Sequence, residues 1–155
     1  MIWYNTYIYK ADGQEGCMKE RESNVLSLLE DRTNHYSRKI ALGMKTQFGW
    51  KELTYDGLGL MSRRLAAYLM NDLGLQKGEK LAILSESKPE YGACVFASVI
   101  SGLITVPLDI KLTKYELQSI LSDCLPSVML VSQSYIDKAL ELQKMIPSLK
   151  HIIVM

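Results

Sequence analysis

Cysteine is scarce in this chain: Cys17, Cys94 and Cys124 are odd in number and widely spaced. They make no disulfide framework and fit a reducing, cytoplasmic compartment. Cys94 and Cys124 fall on apolar helical positions, where a buried free thiol is the expected state. An excess of one charge is also lacking, because 18 Lys and Arg stand against 17 Asp and Glu, a net +1. That balance signals neither nucleic acid nor an anionic membrane surface as a partner. There is no phosphate loop of the GxGxxG or GxxxxGKS/T type, and no His, Cys and carboxylate spacing that suits a metal. Internal repeats and low-complexity segments are absent. The opening MIWYNTYIYK has no basic residues ahead of an apolar core and no small-residue cleavage site, so it does not read as a secretory signal.

What the chain does have is room for one domain, with 155 residues of which 48% are apolar and 23% charged. Its centre is the segment from Lys80 to Asp109, which reads as a complete βαβ unit. Leu81 to Leu84 is a short apolar run of the kind buried in a parallel sheet. Ser87 and Glu90 have the spacing of a capping box, and Pro89 suits the first turn of a helix. Gly102 is placed to end that helix, and Leu103 to Leu108 returns as a second strand. No charge occurs from Tyr91 to Leu108, so a membrane span has to be weighed. The run is barely long enough, since a span needs roughly 20 apolar residues. It also carries Gly92, Ser98, Ser101, Gly102, Thr105 and Pro107, so a buried helix–strand pair accounts for it better.

The remaining elements follow from local signals. Asn24 or Ser23 caps a helix to about Tyr36, with Val25, Leu28, Leu29 and Tyr36 on one side. Ile40 to Leu42 and Phe48 to Trp50 are strand candidates around a turn near Thr46, forming a small hairpin. Thr54 caps a helix with an apolar stripe of Leu58, Met61, Leu65, Leu69 and Leu73. Thr113 and Glu116 form a capping box, with Leu112 and Leu117 as a hydrophobic staple. The inward face of that helix is Leu117, Ile120, Leu121 and Cys124, and Pro126 stops it. Val128 to Val131 is a buried strand. Ser134 opens a last helix with Ile136, Ala139 and Leu140 inward, and His151 to Met155 is a final strand.

The alternation from Leu81 onward predicts an α/β fold with a mostly parallel, doubly wound sheet and helices on both faces. Residues 1–23 read as a flexible extension, with Lys10 to Ser23 as a polar tether and Met18 as a candidate start of translation. Ligands of such sheets sit beyond the carboxyl ends of the strands, here the loops after Leu84, Leu108 and Val131. Ser85 and Ser87 lie there but lack the Gly-x-Ser-x-Gly of a nucleophile elbow. Lys88, Asp109 and Lys111 are charged and near strand ends; for Asp109 a turn role, bonding backbone amides, outweighs a ligand contact. His35 and His151 have no partner nearby in sequence, and structural roles are expected for them. No catalytic, cofactor-binding or metal-ligating residue is assigned.

Three blocks, in this order and spacing, make the chain resemble the N-terminal portion of an adenylate-forming enzyme of the fatty-acyl-CoA synthetase group. They are WKELTY from Trp50 to Tyr55 leading to Ala66–Leu69, then LGLQKGEKLAIL from Leu73 to Leu84 followed by SESKPEYG from Ser85 to Gly92, and Gly102 to Asp109 with Leu112, Thr113, Glu116 and Leu117 behind. The likeness covers Asn24 to Met155. Gly57 stands where the family usually has Glu. The resemblance implies activation of a fatty acid with ATP and Mg to an acyl-adenylate, then transfer to coenzyme A. It also implies that the working parts lie elsewhere: a Ser/Thr/Gly-rich loop ending in Pro-Lys-Gly, adenine- and ribose-holding residues, and a mobile C-terminal domain with a catalytic lysine. None is among these residues, so no ATP, Mg or CoA is expected to be bound by this chain alone, and it is expected to be inactive. Expected partners are the missing C-terminal part or a second copy, with a fatty acid only in the complete enzyme, no nucleic acid, and a cytoplasmic location with peripheral attachment to a membrane left open. An alternative is a non-catalytic interaction module derived from the same fold.

Overall fold

The computed structural model describes residues 24–155. The extension over residues 1–23, with Cys17, Met18 and Ser23, lies outside the described residues. The elements run α1 (Val25–Tyr36), β1 (Ile40–Thr46), β2 (Gly49–Thr54), α2 (Tyr55–Ala67), β3 (Lys80–Leu84), α3 (Pro89–Ser101), β4 (Ile104–Leu108), α4 (Lys114–Cys124), β5 (Val128–Val131), α5 (Ile136–Met145) and β6 (His151–Val154).

β3 to β6 form a four-stranded parallel sheet in the order β4-β3-β5-β6. Alternate residues of each strand must face opposite sides, and the two faces are both covered. Leu81 and Ile83 of β3 pack with Leu69, Leu75 and Cys94 under α2 and α3. Ala82 and Leu84 pack with Leu117, Leu121, Ala139 and Leu142 from α4 and α5. The fold is therefore the α/β doubly wound arrangement expected from the alternation. β1 and β2 pair as an antiparallel hairpin outside this sheet.

α3 is the hub. Its inner face lies on the sheet, while Ala93, Phe96 and Ile100 join Leu29 of α1, Leu58 of α2, and Leu42 and Leu53 of the hairpin on the other side. This double cover is why a helix so poor in polar residues is stable in water. Pro89 occupies the first turn, and Gly102 ends the helix at φ 68 with its amide bonded to the Ser98 and Val99 carbonyls. The capping box expected from Ser87 and Glu90 does not form. The helix starts at Pro89 with Lys88 in the extended cap position and no side-chain cap. Glu90 is thereby one residue too close to the start to reach back, and its carboxylate pairs instead with Lys51 of β2.

Other caps match expectation. Asn24 Oδ1 accepts the Ser27 amide at 2.8 Å, Thr54 Oγ1 accepts the Gly57 amide at 3.2 Å, and Thr113 with Glu116 forms the full capping box. Differences concern faces. Val25 and Leu28 point outward, and α1 buries Leu29 and Thr33. Phe48 sits in the hairpin turn rather than a strand. α2 turns Met61 outward and buries Leu58, Gly59, Ser62 and Ala66, because small residues let it lie close against its neighbours. It continues through a π-helical turn, Tyr68–Asp72, that keeps Leu69 buried. In α4 Ile120 is partly exposed, and in α5 Leu142, not Leu140, is buried. Ser134 lies in a 3-10 turn, Gln133–Tyr135, ahead of α5.

Candidate functional site

β3 and β5 are neighbours, yet the helices that follow them cover opposite faces. The chain leaves the two strands in opposite directions, and the crevice between their carboxyl ends is where such a sheet holds ligands. Leu84 and Val131 are register partners there, so Ser85, Glu86 and Ser132 converge just beyond them. The buried Ser132 hydroxyl donates to Glu86 Oε2 at 2.5 Å, and Ser85 Oγ donates to the Glu86 carbonyl at 2.8 Å. The Ser132 hydrogen bond outweighs the opposing effect of burial and holds the Glu86 carboxyl below its ordinary range. On the β6 side, Lys88 Nζ donates to the Met155 carbonyl at 2.7 Å.

A second concavity is an open groove of about 530 Å³ between β1 and the start of α3, lined by Gly43 and Lys45 on one side and Ser87, Lys88 and Tyr91 on the other. Gly92 faces Leu42 across it: a Cβ there would lie 2.5 Å from Leu42 Cδ1, so a larger residue would make that side chain shift. Burial pushes the Glu90 carboxyl up, but the hydrogen bond and charge of Lys51 more than offset this, and the group ends below its ordinary value.

The residues singled out from sequence are not gathered into one constellation. Asp109 Oδ1 accepts the Lys111 amide at 2.9 Å, the turn role expected for it. Ser87 is exposed and Ser85 is bonded locally. His35 is exposed on α1 beside Asp31, 3.2 Å away, and His151 starts β6. Cys94 is a buried thiol, pushed up to about 12 by burial, with Sγ 3.2 Å from Met155 Sδ. Burial also raises Cys124. The Glu86–Ser132 and Lys51–Glu90 pairs were missed. The first follows from placing β5 beside β3, which the order of elements alone does not dictate.

Phosphates call for unspent cations and converging amides, but the crevice presents the Glu86 carboxylate and its one lysine is committed to a carbonyl. Among the described residues no three His, Cys, Asp or Glu side chains cluster as a metal would require.

Comparison with known proteins gives the fold a lineage. A family model described as AMP-binding enzyme matches residues 29–155. Long-chain-fatty-acid–CoA ligase ACSBG1 of Homo sapiens is 31% identical over 131 residues, 84% of this chain and 18% of that protein. The long-chain-fatty-acid–CoA ligase of Salmonella typhimurium is 26% identical over 155 residues, 99% of this chain and 26% of its own length. Among solved structures, anthranilate CoA ligase AuaEII in complex with anthranoyl-AMP superposes with a TM-score of 0.76 at 26% identity, covering 86% of this chain and 25% of that one. The fatty acyl CoA synthetase of Mycobacterium tuberculosis has a TM-score of 0.75 at 21% identity, covering 85% and 26% respectively. The chain thus spans about a fifth to a quarter of the length of these relatives.

Proposed function

The chain belongs to the AMP-binding enzyme family, and from that premise we propose that it is the N-terminal scaffold of an ATP-dependent acyl-CoA ligase acting on long- or medium-chain fatty acids. The whole protein would join acid and ATP to an acyl-adenylate, release pyrophosphate, and pass the acyl group to CoA. The match over residues 29–155 to that family, on the N-terminal portion of its ligases, carries the reading. The sequence holds no Pro-Lys-Gly phosphate loop, and among the described residues the lysine at the β3–β5 crevice is committed to a carbonyl, which supports inactivity of the segment by itself. Among the described residues β6 has an unpaired backbone edge, and an added strand from the remainder of a ligase, or from a second copy, would satisfy it.

The test is fatty-acid-dependent exchange between ATP and pyrophosphate. No exchange is expected from the 155 residues, and exchange is expected from a polypeptide that carries them ahead of a Pro-Lys-Gly loop and a C-terminal domain. Turnover by the 155 residues alone would refute inactivity. A non-catalytic interaction module is the second reading, favoured by the solvent-exposed Phe48 and Trp50. Coding sequence downstream of Met155 separates the two: a continuation encoding the missing loop supports the ligase, and an unrelated gene after a stop supports the module.

A further inference from the structure

The segment from Glu86 to Glu90 carries three partly buried charged side chains, each bound to a different element. Glu86 Oε2 accepts the Ser132 hydroxyl beyond β5 at 2.5 Å. Lys88 Nζ donates to the Met155 carbonyl beyond β6 at 2.7 Å, and Glu90 Oε1 pairs with Lys51 of β2. Local backbone explains the division. Lys88 is extended, at φ -147 and ψ 161, and α3 begins only at Pro89. Glu86 and Lys88 therefore serve the strand ends, while Glu90 already sits on the helix beneath the hairpin. Charge joins the three. Beyond the Ser132 hydroxyl at Glu86, and beyond burial and the Lys51 contact at Glu90, the Lys88 charge favours the ionised form of both carboxylates. The charge of Glu90 opposes ionisation of Glu86. Signs thus alternate through Glu86, Lys88, Glu90 and Lys51, so a change at one end alters the field along the row.

The hairpin is the element best able to lift away. β1 and β2 pair only with one another, and a two-stranded ribbon alone is marginal in water. Leu42 and Leu53 are only partly buried where it meets α3, whereas β3 and β5 are buried on both faces. At its base the Tyr55 amide donates to the Lys39 carbonyl and the Asp56 amide to the Ser37 carbonyl, each at 3.0 Å, which makes a hinge. Among the described residues Lys51–Glu90 is the one ion pair between the hairpin and the rest of the fold. Glu90 Oε2 is buried and has no partner among them, so this carboxylate depends on Lys51. Removing one member of such a pair leaves the other charge uncompensated. Lys88 is then the cation left near Glu90. Drawn toward it, Lys88 releases the Met155 carbonyl and loses its hold on Glu86.

We propose that residues 86–90 form a junction that couples the seating of the β1–β2 hairpin on α3 to the order of the β3–β5 crevice, with Lys51–Glu90 as the catch. With the catch closed, Lys88 stays on the rim and the crevice is held. With Lys51 withdrawn, the Glu90 charge pulls Lys88 away and the rim opens more often. The junction is built from contacts within this chain and is independent of the ligase reading.

The test is amide hydrogen exchange of the full chain, followed by nuclear magnetic resonance. Two reporters lie at the rim: the Ser132 amide, which donates to the Leu84 carbonyl at 3.2 Å, and the Tyr135 amide, which donates to the Ser132 carbonyl at 2.9 Å. Two controls lie at the opposite end of the sheet: the Ser127 amide on the Lys80 carbonyl at 3.0 Å and the Lys150 amide on the Ser127 carbonyl at 2.9 Å. Lys51→Met is expected to speed exchange at both rim reporters by about three-fold or more and to leave the controls unchanged. Lys51→Arg keeps the pair and the slow rim. Adding Glu90→Gln to Lys51→Met removes the charge that draws Lys88, so the rim is expected to return to the rate of the parent chain while the hairpin amides stay fast. Circular dichroism checks the fold of each variant, and Lys51→Gln is read in the same way if Lys51→Met does not fold. Rim reporters that keep their rate in the Lys51 variant overturn the proposal. So do rim and control amides that speed alike, which is plain loss of stability, and a rim that stays fast in the double variant.

Discussion

Single residues decide how the crevice and hub are held. At Glu86 the deciding contact is the Ser132 hydroxyl, which favours the ionised carboxyl in the folded chain. A depressed folded pKa contributes stability that is present above the unfolded value of about 4.3 and is lost as pH falls through the folded value. Ser132→Ala should therefore lower the urea midpoint at pH 7 and flatten its decline between about pH 5 and 3. An unchanged slope on the acid side would show that Glu86 gains nothing from that hydroxyl. Residue-level signals in the sequence were legible where the partner is three or four positions away, as for Thr113 with Glu116 or Asp109 with the Lys111 amide. They were not where the partner is distant: Glu90 looked like a cap for Ser87 because Lys51, on another element, is invisible to local spacing.

Between elements, the packing of α1 on α2 depends on close approach. A Cβ on Gly59 would sit 3.0 Å from Thr33 Oγ1, and that hydroxyl is fixed by donating to the Leu29 carbonyl at 2.7 Å. Alanine at a helix interior gains about 1 kcal/mol over glycine, while overpacking of a fixed neighbour costs roughly 1–3 kcal/mol. The two nearly cancel, so the informative quantity is the coupling. Gly59→Ala should be more favourable in a Thr33→Ala background by about 1 kcal/mol, measured by a denaturation double-mutant cycle. Additive effects would mean that α1 shifts freely on α2. This contact also explains why the helical stripes were only half legible. Periodicity ranks large apolar residues, so Met61 was expected inside, whereas the buried line of α2 runs through Leu58, Gly59, Ser62 and Ala66. Small residues leave no mark in a hydrophobic pattern, yet they set how closely helices pack.

For the whole molecule, the alternation of apolar runs and capped helices was enough to specify parallel strands with helices on both faces, because short βαβ connections admit few other arrangements. Strand order was not, since nothing local places β5 beside β3 rather than beyond β4. The candidate site inherits that gap: it lies at the one place where strand order reverses, and only three-dimensional adjacency joins Glu86 to Ser132. What emerges is a sheet with two covered faces, a hub helix shared by two cores, and a rim where Ser132 bonds Glu86 and Lys88 bonds the Met155 carbonyl. The central proposal is that these residues are scaffold and that the adenylate-handling groups belong to other parts of a longer ligase. Calorimetric titration of the 155-residue chain with a non-hydrolysable acyl-adenylate analogue tests it most directly. The account predicts no saturable heat up to about 1 mM ligand, and a one-to-one isotherm with a Kd near about 1 µM would contradict it.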